Sequence, residues 1–121
     1  MTNTAKATAF LQMAASGKVQ EAYEEYIHPK FIHHNPYFKG DRQALLEAMK
    51  AAHKKTPNKL FEIQRVLEEG DLVAVHSRVV QENGVEIAVV HILRFEDDKI
   101  VELWDLGIAV PEDTSNENGL F

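Results

Sequence analysis

Residues 72–108 read LVAVHSRVVQENGVEIAVVHILRFEDDKIVELWDLGI. Three apolar-rich runs, Leu72 to Val80, Val85 to Phe95 and Ile100 to Ile108, are separated by Glu82-Asn83-Gly84 and by Asp97-Asp98. Val, Ile and Leu in short runs bounded by Asn-Gly and Asp-Asp are the pattern of consecutive strands joined by tight turns. Upstream, Leu60 to Leu67 alternates apolar and polar residues, and Glu69-Gly70-Asp71 supplies another turn. Four consecutive strands with short connections predict an antiparallel meander.

The first half has a different period. Residues of about 4–15 place Ala7, Phe10, Leu11 and Ala14 on one helical face and end at Ser16-Gly17. Val19, Ala22, Tyr23, Tyr26 and Ile27 repeat at i, i+3, i+4 in a second helix, which Pro29 stops by excluding the preceding residue from helical backbone. Phe31-Ile32-His33-His34-Asn35-Pro36 reads as extended. Gly40-Asp41 caps a third helix carrying Leu45, Met49 and Ala52 on one face, closed by Pro57-Asn58. Helices followed by strands argue an α+β domain spanning 1–121, with an irregular tail over about 111–121.

With 121 residues and no cysteine, the chain is sized for one core and has no disulfide, no cysteine nucleophile and no thiolate metal site. Thirteen scattered basic residues against nineteen acidic ones argue against nucleic acid, and the Lys50, Lys54, Lys55 spot reads as a solvated helix face. No apolar run approaches the roughly 20 residues of a membrane span. The apolar stretch after Lys6 is Ala-rich and broken by Thr8 and Gln12, so it reads as a helix rather than a leader, and the expected location is the cytoplasm.

Several segments together resemble a known family. Phe31-Ile32-His33-His34-Asn35-Pro36, then Glu69-Gly70-Asp71-Leu72-Val73-Ala74-Val75-His76-Ser77, then Leu93 through Asp105, and the ending Asn116 to Phe121 are similar in order and spacing to the bacterial SnoaL-like proteins. These are polyketide-cyclase and aldol-condensation proteins of the nuclear-transport-factor-2-like superfamily. The resemblance implies a cone in which a curved antiparallel sheet wraps N-terminal helices around one pocket. It also implies an acid/base Asp on the last strand and a His fourteen residues earlier, positions held here by Asp105 and His91. Leu103 and His91 stand where many relatives carry His and Asp, and Asp98 replaces a turn glycine.

Asp105 lies in an otherwise apolar strand, where burial would raise its pKa and suit it to moving a proton beside a carbonyl. The alternative is a structural ion pair with Arg78. His91 interrupts the most apolar strand, as a core histidine would. A three-residue loop, Glu96 to Asp98, is expected and makes it a same-face diagonal neighbour of Asp105, with Val89, Leu93, Val101 and Leu103, whereas a two-residue loop would put the two on opposite faces. His76 and Arg78 share a face and are candidates for binding a substrate oxygen, or a core His with a salt-bridged Arg. Of His33 and His34 one must point inward, and His34 is the candidate, with Asn35 shaping the rim. Tyr26 and Leu103 are candidate pocket wall. No His-Glu-x-x-His cluster, phosphate loop or serine elbow appears, so neither metal nor cofactor is expected.

Two functions of different class follow. One is cofactor-independent acid/base chemistry, as cyclase, lyase or isomerase, on a small apolar carbonyl compound. The other is a non-catalytic module binding a small ligand or a protein. Epoxide hydrolysis would further require Asp105 and Arg78 to meet. A homodimer through the outer sheet face, centred on Val90, Ile92 and Trp104, is also expected.

Overall fold

The computed structural model describes residues 1–113 and 115–121. Helix α1 spans Asn3–Ala15, with Thr2 accepting the Ala5 N–H as its cap and Ala7, Phe10, Leu11 and Ala14 buried. Helix α2, Val19–Tyr26, buries Val19, Ala22 and Tyr23. Helix α3, Arg42–Lys55, starts at Asp41, whose carboxylate accepts the Ala44 N–H at 2.8 Å and satisfies a first-turn donor. The strands are β1 (Ile27–His34), β2 (Asn58–Glu69), β3 (Leu72–Gln81), β4 (Glu86–Glu96) and β5 (Lys99–Ala109).

The sheet order is β1-β5-β4-β3-β2. The meander β2 to β5 is antiparallel, as its turns predict, but β1 pairs parallel with β5, so the sheet is mixed rather than purely antiparallel. The parallel pair arises because α3 carries the chain across between β1 and β2, a partner choice that local periodicity does not encode. Pro29 falls inside β1, where it can sit because β1 is an edge strand with a break in register between Ile27 and Ile32.

The hairpin β4–β5 differs from expectation in an instructive way. Its turn is two residues, Asp97 and Asp98, both at positive φ (53° and 63°). A regular two-residue hairpin would place His91 and Asp105 on opposite faces. A bulge restores the parity: Phe95 pairs with Ile100, but Arg94 pairs with Glu102, leaving Val101 as the extra residue. Beyond the bulge His91 lies directly opposite Asp105. Ile100, not Val101, joins Leu103 in the main core.

The core fills one end of the cone. Phe10, Tyr23 and Phe31 pack in sequence, tilted and then edge-to-face with ring centroids 5.9 and 6.1 Å apart, against Val73, Val75, Leu93, Phe95, Ile100 and Leu103. Further along the same inner face the side chains stop meeting helices, and a cavity opens. The tail beyond Ala109 forms neither helix nor strand among its described residues.

Candidate active site

A cavity of about 610 Å³ lies between the inner sheet face and helices α1 and α3. This falls within the range of small-molecule sites. Strand β4 contributes Ile87, Val89 and His91 to its wall, while the next inner residue, Leu93, belongs to the solid core. On β5 the sequence is the same in reverse: Leu103 is core, Asp105 lines the cavity, and Gly107 follows. His91 and Asp105 therefore occupy the floor, at the boundary between packed core and open space.

His91 Nε2 is 3.3 Å from Asp105 Oδ1, and Asn35 Nδ2 donates to Asp105 Oδ2 at 2.8 Å. Asn35 is itself held, since its backbone N–H donates to His33 Nδ1 at 3.1 Å and its Oδ1 accepts the Tyr37 N–H at 3.0 Å. The His33 ring anchors that turn by donating from Nε2 to the Lys39 carbonyl at 2.7 Å.

Burial pushes the Asp105 carboxyl upward. The hydrogen bond and charge of His91, the Asn35 amide and the nearby His33 ring together outweigh it, so the pKa lies below its ordinary value of 3.8. The expected raised pKa is thus corrected: His91 was anticipated as a partner, but its contact together with the Asn35 amide outweighs the burial that was expected to dominate. Because a carboxylate only accepts, the His91 nitrogen facing it carries a hydrogen. His91 Nδ1 is buried with no partner among the described residues.

Other expected positions fall elsewhere. His34 points outward, not into the pocket; Nε2 lies 2.6 Å from Glu102 Oε2, and the ring stacks on Trp104 at 5.0 Å. The inward histidine is its neighbour His33, which is buried. That His34 contact, opposed by burial and reinforced by Arg94, lowers the Glu102 pKa. His76 and Arg78 share a face, but it is the outer one, alternating with buried Val75, Ser77 and Val79. There His76 contacts Arg65 and stacks under Phe121, while Arg78 pairs with Glu86. Arg78 and Asp105 do not meet, which removes the basis for epoxide hydrolysis by that pair. Tyr26 packs against the core and Leu103 is buried in it; neither lines the cavity.

One cavity histidine went unread. His53, in the last turn of α3, continues the Leu45, Met49 stripe at i+4 and lines the helix wall. Its ring lies where a side chain on Gly17 would be, 2.3 Å from an added Cβ, so Gly17 (φ +96°) is needed for both backbone and space. The repeat Leu45, Met49, His53 was the available signal. Among the described residues no group of three metal-binding side chains assembles, and no helix is long and apolar enough to cross a membrane.

Three helices packed on a curved, five-stranded mixed sheet are the fold of the nuclear-transport-factor-2-like proteins. The chain belongs to the SnoaL-like domain family, whose pattern matches residues 7–103. No curated protein matches it. Among solved structures, an NTF-2 like protein of unknown function from Burkholderia xenovorans LB400 is similar at 22% identity and a TM-score of 0.71, over 91% of this chain and 85% of that one. IdmH from Streptomyces antibioticus, provisionally assigned as a polyketide cyclase, is 20% identical with a TM-score of 0.68, over 88% and 92%. A protein of Sinorhizobium meliloti with the same provisional assignment is 20% identical with a TM-score of 0.66, over 81% and 94%. At these identities the likeness is one of fold.

Proposed function

We propose that the protein catalyses cofactor-independent proton transfer on a small uncharged carbonyl compound, as a cyclase, lyase or isomerase, with Asp105 as base and His91 as its partner. The observation that carries this is an ionised carboxylate at the floor of an otherwise largely apolar cavity, held between His91 and Asn35. Such a carboxylate can take a proton from the carbon beside a carbonyl. As it does so, the His91 N–H loses its anionic acceptor and becomes available to the enolate oxygen. The lining includes Asp105 and neither Lys nor Arg, so an anionic substrate would meet repulsion with no compensating cation.

The test is deuterium uptake at the α-carbon of neutral cyclic ketones and β-diketones in D2O, followed by NMR. Removing a positioned base should cost about 10²–10⁴-fold, so Asp105→Asn should abolish uptake above background. Equal uptake by both proteins would overturn the assignment. A second reading, a ligand-binding module without chemistry, is favoured by one fact: both Asp105 oxygens already have a donor, which weakens the carboxylate as a base. Ligand binding with no uptake in either protein would select it.

For assembly, the proposal is a homodimer through the outer sheet face. Opposed pairs Ile92–Trp104, Val90–Leu106 and Ala88–Ile108 make an apolar row there, with Leu106 and Ile108 more than half exposed.

A further inference from the structure

Two buried polar side-chain atoms on the inner sheet face lack a partner, His91 Nδ1 and Ser77 Oγ. They belong to adjacent strands. Val75 pairs with His91 and Ser77 pairs with Val89, so Ser77 is the diagonal neighbour of His91 on the same face. Diagonal side chains in an antiparallel pair start about 7 Å apart at Cβ. The two atoms do not bond directly in the structure, and a side-chain rotation or one buried water would close the gap between them. Ser77 is fully buried, so bulk water cannot satisfy its hydroxyl, and leaving it orphaned is costly. The chemistry is complementary: the hydroxyl rotates to donate to a bare Nδ1 or to accept from a protonated one.

We infer that Ser77 is a positioning residue for His91, its hydroxyl bonded to Nδ1 directly or across one buried water, so that Nε2–H is aimed at Asp105. The polar line Ser77, His91, Asp105, Asn35 then runs across strands β3, β4 and β5 to the turn after β1. Ser77 touches no substrate; it acts through the imidazole. An apolar residue here would leave the ring free to rotate about χ2 and present Nδ1 to the carboxylate instead. This deepens the proposed site and rests on it only for His91 having a role in proton transfer.

The experiment is ¹⁵N NMR of the histidine rings in the ligand-free protein, at a pH where the His91 ring is neutral, so its outcome is separate from any test of activity. In the wild type His91 should show the Nε2–H tautomer with a hydrogen-bonded Nδ1. Ser77→Ala should move that Nδ1 resonance downfield to an unbonded imine position, leave the His33 ring unchanged and lower the melting temperature. Ser77→Thr, which keeps the hydroxyl and suits a strand, should restore the resonance. A wild-type ring with the hydrogen on Nδ1 would overturn the inference whatever the variants do. So would Ser77→Ala with unaltered His91 nitrogens and a higher melting temperature, the behaviour of a hydroxyl that had no partner to lose.

Discussion

Asp105 stabilises the fold as well as facing the cavity. Its native pKa is below the ordinary value of 3.8, so the ionised form contributes stability that is fully present above that pH and disappears as pH falls through the lower native value. Acid titration of the melting temperature should therefore show a loss below about pH 3.8 that is reduced in Asp105→Asn. At neutral pH the same variant should melt lower than the wild type, because the amide gives up the charge that faces His91. A carboxyl stranded in an apolar wall would instead gain stability on losing its charge, and that outcome would contradict the geometry. Gly17→Ala should also destabilise, by more than about 1 kcal/mol, since φ +96° and the His53 ring both exclude a Cβ. Urea denaturation measures it.

At the scale of elements, the β4–β5 hairpin decides which side chains reach the cavity. Two aspartates at positive φ form its turn, a conformation that glycine adopts without strain. Asp98→Gly should therefore stabilise the protein by about 0.5–1 kcal/mol in urea denaturation, with little lost from the exposed Lys6 contact at 3.8 Å. Deleting Val101 should do the opposite. Without the bulge every β5 residue beyond it changes face, and Asp105 would move to the outer side, away from His91. The expected result is loss of the cavity dyad even where the chain still folds, checked by disappearance of the Asp105 contribution to acid stability.

The whole molecule presents an outer sheet face that is only partly covered by its own chain. His34 lies on Trp104, and Phe121 lies on His76, but Leu106 and Ile108 remain exposed. Sedimentation at micromolar concentration should give about twice the 13.7 kDa chain mass. Trp104→Ala should shift the population toward monomer, with a loss of about 2 kcal/mol of association. A monodisperse wild-type monomer would show that the tail and His34 cover enough of this face.

Local patterns in the chain were sufficient for every helix and for the four strands of the meander, because burial periodicity and turn chemistry act over a few residues. The pairing of His91 with Asp105 was only half legible: the family resemblance supplied the fourteen-residue spacing, and a three-residue loop would have made the two diagonal neighbours, whereas a two-residue turn with a bulge at Val101 sets them directly opposite. Whether a longer loop or a bulge forms is settled by strand twist and packing. Tertiary structure alone decided the parallel pairing of β1 with β5, which depends on where α3 returns the chain. It also decided that His33 rather than His34 faces inward and that His76 and Arg78 face outward, since alternation says which residues share a face but not which face is concave. The direction of the Asp105 shift belongs to the same class. Burial was readable from its apolar neighbours in the strand, but the Asn35 amide that helps reverse its effect comes from seventy residues away.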